Sequence, residues 1–396
     1  MANIKAVDIT HSLRGRIAGS EWQEVRILPN ERALSEHYGV ARNTIRRAIS
    51  TLVDEGILTR HVGRGTIINE TICAASGDLS AIVARLTEIS PFDLMNMRLI
   101  IEPQAAAAAA LNASEAKLAT LRHIHDQTID VCDMLAFEKL DAAFHELIFS
   151  AARNDFLRDL YEVLSIVRRR SSVTSIRHSG FTQARRVECI TQHRALLDAL
   201  VARDAVGAAE AMKLHLSVRS RNLFGGQNEI QQAPPVTTSG HCEPMDEAAE
   251  LLDVMERIAG SSPSDVMNVR LIVEPKAAAV SAANARPADL VGIRNAHELA
   301  TASLETETFE AWDGEFHKRI FESTRNDFLT TLHDILKAIR MRKNWLDMKR
   351  RTFTLERRLA YCEDHGAIYA AIANRDSSGA AVAMHRHLLA IQKNLF

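Results

Sequence analysis

Apolar residues three and four positions apart recur along most of this chain, and that spacing predicts helix. Over 42–54 the stripe is Ile45, Ala48, Ile49 and Leu52, and it stops at Glu55-Gly56. Ahead of it, residues 10–20 read as a helix ending near Gly19. Glu31 to His37 reads as a short helix, with Asn30 as N-cap and Glu31 in the first turn, where the helix dipole favours an anion. His37-Tyr38-Gly39-Val40 is a tight turn. After the stripe the period changes. Ile57-Leu58-Thr59-Arg60 and Thr66-Ile67-Ile68 are β-rich runs flanking Gly63-Arg64-Gly65, a hairpin pattern. Helix, helix, turn, helix, hairpin predicts a winged helix-turn-helix over 1–72. From 76 the pattern is helical to 224: an amphipathic stretch over 78–89, a long helix opened by Pro91, then helices near 114–133, 136–151, 155–175, 183–202 and 205–222. Residues 225–245 are polar and carry Gly225-Gly226 and Pro234-Pro235, a linker reaching roughly 25 Å if flexible. A second helical region fills 246–396.

That second region repeats the first. Residues from about 91 to 224 reappear 172 positions later without a gap. Met95-Asn96-Met97-Arg98-Leu99-Ile100-Ile101-Glu102-Pro103 returns as Met267-Asn268-Val269-Arg270-Leu271-Ile272-Val273-Glu274-Pro275. Arg153-Asn154-Asp155-Phe156-Leu157 returns as Arg325-Asn326-Asp327-Phe328-Leu329. The period is far longer than a solenoid's, so this is a duplicated domain. The expected fold is mainly α: an N-terminal winged helix-turn-helix followed by two homologous all-α helical bundles.

Composition sharpens this in three ways. A net charge of −2 gives no global pull towards nucleic acid, but between Val40 and Thr66 five arginines face only Asp54 and Glu55. The five cysteines are scattered, and none has a cysteine as its repeat counterpart, which argues against disulfides or a cysteine-zinc site and for a reducing, cytoplasmic setting. No apolar run is long enough to span a membrane.

In a helix-turn-helix the second helix enters the major groove. With Ile45, Ala48, Ile49 and Leu52 turned to the core, Arg42, Asn43, Thr44 and Arg46 lie on the outward N-terminal turns. Arginine can take both guanine acceptors, and asparagine can pair with adenine. Arg32, Arg47, Arg60 and the wing's Arg64 suit phosphates. His61 and Gly63 complete the candidate DNA-contact set.

Within each repeat a different constellation survives. Asp141 and His145 are four apart, on one helix face. His193 and His215 stand equally far either side of Asp204, where a helical hairpin would turn, so both reach the same height. The second copy retains Asp313, His317, His365 and His387, centred on Asp376. One buried histidine is ordinarily a core residue. An aspartate and three histidines of matched geometry, kept in both of two widely diverged copies, suit a divalent ion: zinc first, nickel or another as alternatives. His125 and His297 also match but stand outside that geometry.

Leu28-Pro29-Asn30-Glu31-Arg32-Ala33-Leu34-Ser35-Glu36, Gly39-Val40-Ala41-Arg42-Asn43-Thr44-Ile45-Arg46-Arg47-Ala48, Leu52-Val53-Asp54-Glu55-Gly56-Ile57-Leu58 and the wing Gly63-Arg64-Gly65-Thr66 resemble the DNA-binding motif of the GntR family. Ala41 departs from it, since the family usually has Ser or Thr there, and a lost cap costs about 1 kcal/mol. Both helical copies resemble the FCD ligand-binding domain of the FadR subfamily. The resemblance puts that family's metal motif on the same eight residues. It puts the family's helix-borne arginine on Arg98 and Arg270, each followed by Glu-Pro. It implies a small organic acid beside the metal, and physically a carboxylate could take an open metal position while arginine pairs its other oxygen. The plain alternative for Arg98 is a salt bridge to Glu102. Arg168, Arg170, Arg340 and Arg342 are weaker pocket candidates. One departure is architectural: the family's chains pair through FCD, whereas here two FCD-like domains share one head, so the resemblance implies that the two copies pack on each other within the chain and that a chain homodimer would supply a second head.

These observations favour an operator-binding regulator controlled by a small carboxylate. A metal-dependent hydrolase is the competing class, since such a metal set can activate water. No carboxylate base fixed in both copies beside the metal set is evident, and a DNA head is foreign to that role. A metal sensor without an organic effector is the third reading.

Overall fold

A computed structural model of the chain describes residues 9–10, 12–13, 16, 27–54, 58–61, 65–68, 79, 81–169, 182–225, 244–303, 305–352 and 354–396. These fall into two compact units.

The N-terminal unit contains β1 (Ile27–Leu28), α1 (Glu31–Tyr38), α2 (Arg42–Asp54), β2 (Leu58–His61) and β3 (Gly65–Ile68). Residues 9, 10, 12, 13 and 16 are helical, as the first predicted helix requires. Asn30 caps α1, its side chain accepting from the Ala33 N–H at 2.9 Å. Gly39 ends it at φ 63°, the left-handed conformation that glycine adopts without a Cβ clash. Ala41 offers α2 no side-chain oxygen, and its carbonyl accepts the Thr44 N–H instead at 2.9 Å. The strands are antiparallel in the order β1-β3-β2, so the hairpin forms a wing. Ile45, Ala48, Ile49 and Leu52 are buried with Leu34, Leu28 and Leu58, as their spacing predicts.

The second unit is helical. Its first copy comprises α3 (Pro91–Asn112), α4 (Glu115–Asp130), α5 (Met134–Ala151), α6 (Asp155–Arg168), α7 (Gln183–Val201) and α8 (Ala205–Phe224). The second comprises α9 (Pro244–Ala259), α10 (Pro263–Asn284), α11 (Pro287–Ala302), α12 (Thr306–Ser323), α13 (Asp327–Arg340), α14 (Lys343–Thr352), α15 (Leu355–Ala373) and α16 (Ser377–Leu395), with residues 340–346 belonging to the N-terminal unit. The predicted helix over 155–175 ends at Arg168, and most of the predicted linker lies outside the described residues. No helix among the described residues is long and apolar enough to cross a membrane.

The two hairpins that carry the paired histidines turn where expected. Arg203 and Arg375 sit at positive φ, 59° and 61°. Asp204 and Asp376 cap α8 and α16, accepting the Gly207 and Gly379 N–H groups. A Cβ on either glycine would meet the capping carboxylate at 2.3 or 2.1 Å. Arg203 then reaches the carbonyls of Ala110 and Ala113 at the end of α3, and Arg375 does the same at Ala282. The turn is thereby tied to the first helix of its own copy.

The copies pack on each other with pseudo-twofold symmetry. α10 lies against α3 and α6, and α9 lies against α6. Asn154 caps α6 and also donates to the Asp265 carbonyl of the other copy at 3.3 Å. Its counterpart Asn326 caps α13 and donates to the Asp93 carbonyl at 3.4 Å. Arg85 pairs with Asp334 at 2.7 Å, and the equivalent Arg257 pairs with Glu162. These side-chain contacts recur under the 172-residue shift, the mark of an isologous interface.

Candidate metal centres and candidate nucleic-acid interface

Asp141 and His145 project from one face of α5 towards His193 on α7 and His215 on α8. All four are buried, and their ligand atoms lie within 4.8 Å of one another. Asp313, His317, His365 and His387 form the same cluster in the second copy. The likeness extends to ring placement. The centroids of His193 and His215 are 4.7 Å apart, as are those of His365 and His387. Phe144 stacks on His193 at 4.5 Å and Phe316 on His365 at 4.2 Å, fixing those rings.

The surroundings leave donor atoms pointing inward. His145 Nδ1 lies 2.6 Å from Glu102 Oε2, and Arg98 Nε donates to Glu102 Oε1 at 2.5 Å. A proton held on Nδ1 by that carboxylate leaves the Nε2 lone pair free for a metal. His215 Nδ1 is likewise engaged by Gln192 Oε1 at 2.9 Å. His145 Nε2, His215 Nε2 and Asp141 Oδ2 are buried without a hydrogen-bond partner. In the second copy Arg270 Nε donates to Glu274 Oε1 at 2.5 Å, and His317 Nδ1 lies 2.7 Å from Glu274 Oε2. There the His365 and His387 Nε2 atoms face each other at 3.3 Å.

Protonation states suit the same purpose. Burial drives the His193 imidazole down to about 3, more strongly than Asp141 pulls it up. Burial also holds His215 and His365 well below the usual histidine range and lowers His387. Burial pushes Asp141 up, but Arg219 and the neighbouring imidazoles outweigh it and hold the carboxyl well below its usual range. Asp313 is lowered too, because His317 and His365 outweigh burial. The carboxylates are therefore ionised and His193, His215, His365 and His387 neutral at neutral pH, and each cluster of one carboxylate and three imidazoles is a donor set that fits zinc or a similar divalent ion.

The structure places the remaining sequence candidates as follows. Arg98 and Arg270 are buried and paired with Glu102 and Glu274, the salt-bridge alternative; Arg98 Nη2 is buried without a partner. His125 is buried, and its Nδ1 and that of His297 lack partners. Arg168 and Arg340 are buried, Arg342 is exposed, and Arg170 lies outside the described residues. The sequence shows no carboxylate base fixed in both copies beside the metal set, yet two carboxylates do stand beside it. Glu102 and Glu274 are there, signalled by the Glu-Pro that follows each arginine. Each sits behind a histidine, on the side away from the ligand atom and held by arginine, where it orients the ring. Arg219 also escaped the sequence reading: Nη1 donates to Asp141 Oδ1 at 2.7 Å. Its counterpart is Ile391, so the repeat gave no signal.

In the head, Arg42, Asn43 and Arg47 are exposed, and Thr44 is half-buried. Arg46 is exposed too, but its guanidinium bonds Glu31 through Nη2 at 2.8 Å and through Nε. Reading a base with Arg46 therefore requires breaking that pair. Arg60 is fixed on the Arg46 carbonyl and Ser50, while Arg32 pairs with Glu36. His61 ends β2, and its side chain lies outside the described residues with Gly63 and Arg64.

Comparison with known proteins settles the family. The model for bacterial regulatory proteins of the gntR family matches residues 5–68, and the FCD domain model matches twice, over 93–218 and 265–390. The chain belongs to the GntR family. This GntR protein is 32% identical over 200 residues to a putative L-lactate dehydrogenase operon regulatory protein of Escherichia coli, covering 48% of this chain and 75% of the relative. It is 28% identical over 199 residues to the Uxu operon regulator of Haemophilus influenzae, covering 50% and 73%. A solved GntR structure from Streptococcus agalactiae shares 26% identity and covers 55% of this chain and 99% of that one, with a TM-score of 0.30. The GntR protein is thus a transcriptional regulator rather than an enzyme, with a DNA-binding head and FCD effector-binding domains.

Proposed function

We propose that this GntR regulator, of the FadR subfamily, binds its operator through the head and answers to a small organic acid held beside a divalent ion in the FCD copies. The observation that carries this is the pair of matching clusters, each with a buried carboxylate and three imidazoles whose ligand atoms lie within 4.8 Å of one another. Zinc is the first candidate, held in the first copy by Asp141, His145, His193 and His215, and in the second by Asp313, His317, His365 and His387. The ion would supply an electrostatic anchor for a carboxylate. Arg98, through its unpartnered Nη2, and Arg270 would orient that carboxylate. The L-lactate operon relative makes hydroxy acids the first class to screen.

In the head, Arg42, Asn43, Thr44 and Arg46 would face base edges. Arg32, Arg47, His61, Gly63 and Arg64 would lie along the backbone. Residues 1–72 would form this domain, 76–224 and 246–396 the two FCD copies, and 225–245 their linker, in a cytoplasmic protein. Because the FCD copies pair within one chain, a second head for a two-half-site operator would come from a second chain, giving a homodimer. The test is fluorescence anisotropy of zinc-loaded full-length protein on its own upstream DNA, titrated with hydroxy acids, sugar acids and dicarboxylates. The reading predicts binding that one class of acid alters. No binding to that DNA, or binding unmoved by every acid, overturns it.

A further inference from the structure

The two clusters share four ligands but differ in what stands behind them. In the first, the Arg219 guanidinium is bonded to the ligand carboxylate Asp141 at 2.7 Å, and the neutral Gln192 backs His215 at 2.9 Å. In the second, Ile391 replaces the arginine and Asp364 replaces the glutamine, its Oδ2 3.6 Å from His387 Nδ1. Among the described residues, Lys349 and the exposed Arg386 also lie near the second site, paired with Glu310 and Asp364. The lining follows the same division. Cys189, beside Asp141 and His193, becomes Tyr361, whose ring packs 5.5 Å from that of His387 and whose hydroxyl accepts from Asn394.

Both exchanges act in one direction. A cation bonded to a ligand carboxylate weakens that oxygen as a donor and repels a divalent ion through a water-poor interior. A carboxylate behind a ligand histidine makes it a stronger donor, whereas an amide does so less. Among the described residues a cation is bonded to the ligand carboxylate only in the first copy, and although Glu138 also faces Arg219, that placement favours an anion at the cluster's edge there. Arg219 is one-fifth exposed, so its other guanidinium nitrogens can turn to a ligand at the cluster's edge.

We propose that the copies have divided the work: the second is a tight structural metal site, and the first is a weaker metal site that accepts the anionic effector on Arg219. This rests on the metal reading above.

The test uses the full chain with one cluster disabled at a time, His365→Ala/His387→Ala leaving the first site and His193→Ala/His215→Ala leaving the second. Zinc affinity is read by competition with a chromophoric chelator. The second site should bind zinc about tenfold or more tightly than the first. Arg219→Gln should tighten the first site, while Arg219→Lys should leave it weak. With cobalt in place of zinc, azide should shift the visible spectrum of the first site at about tenfold lower concentration than that of the second, and Arg219→Gln should erase the difference. Equal zinc affinities, or azide responses that Arg219→Gln leaves unchanged, overturn this division while sparing the metal reading. Zinc bound by neither site overturns both.

Discussion

Glu102 backs His145 of the first candidate metal cluster, and Glu102→Gln isolates its charge while keeping its shape. The side chain is fully buried between Arg98, which is 4% exposed, and His145, which is not exposed at all. Burial pushes its carboxyl up, but Arg98 and His145 outweigh burial and bring it from 4.5 down to about 2. That difference corresponds to about 3 kcal/mol in favour of the ionised form, within the range for removing one partner of a buried ion pair. The amide would leave the Arg98 charge uncompensated and His145 without its anionic anchor. A loss of about 3 kcal/mol should lower the melting temperature of the helical unit by roughly 5–10 °C. Zinc affinity at the first site should fall by about 10–100-fold, with the second site, backed by Glu274, unchanged. The folded-state pKa is depressed, so the stabilisation is complete above about 4.5 and disappears as the pH falls towards 2. Differential scanning fluorimetry and chelator competition on the two single-site chains measure both effects. A Glu102→Gln chain that melts and binds zinc like the parent would refute the reasoning.

Three further outcomes follow from the same geometry. Arg42→Ala and Asn43→Ala should each weaken operator binding by roughly 1–3 kcal/mol, whereas Arg46→Ala should cost less because its guanidinium must first leave Glu31; anisotropy titrations decide the order. Asn154→Ala combined with Asn326→Ala should remove two N-caps and two contacts between copies, destabilising the helical unit by about 3 kcal/mol or more without altering metal content, as seen by urea melts and elemental analysis. Metal-free protein should be most stable above about pH 6.5 and should lose stability as the pH falls towards 3, because His193, His215 and His365 are neutral when folded and take up protons when unfolded; zinc loading should raise stability without removing that loss, since ligation also needs unprotonated imidazoles.

The sequence was most informative where the duplication preserved a residue. The eight metal candidates converge as their spacing predicts, and the hairpin turns fall at Asp204 and Asp376. The repeated Arg-Asn-Asp-Phe-Leu motif has a dual basis that a linear reading could not supply, since its asparagine caps a helix and bonds the other copy. Partners brought in by tertiary packing were harder to see. Arg46 lies on the outward face its periodicity predicts, yet Glu31 of the preceding helix claims it. Glu102 was visible only as the salt-bridge alternative for Arg98; its contact with His145 joins residues 43 apart in sequence. Arg219 was invisible for the opposite reason. A search for what both copies keep cannot find a residue that one copy has replaced by isoleucine.

The central claim is that each FCD copy of this regulator holds its own metal ion through an aspartate and three histidines. Native mass spectrometry of the zinc-supplemented full-length chain tests it most directly. The account predicts two zinc ions per chain, and one in each of the His193→Ala/His215→Ala and His365→Ala/His387→Ala variants. A folded parent chain that carries no zinc, or variants that keep both ions, would contradict it.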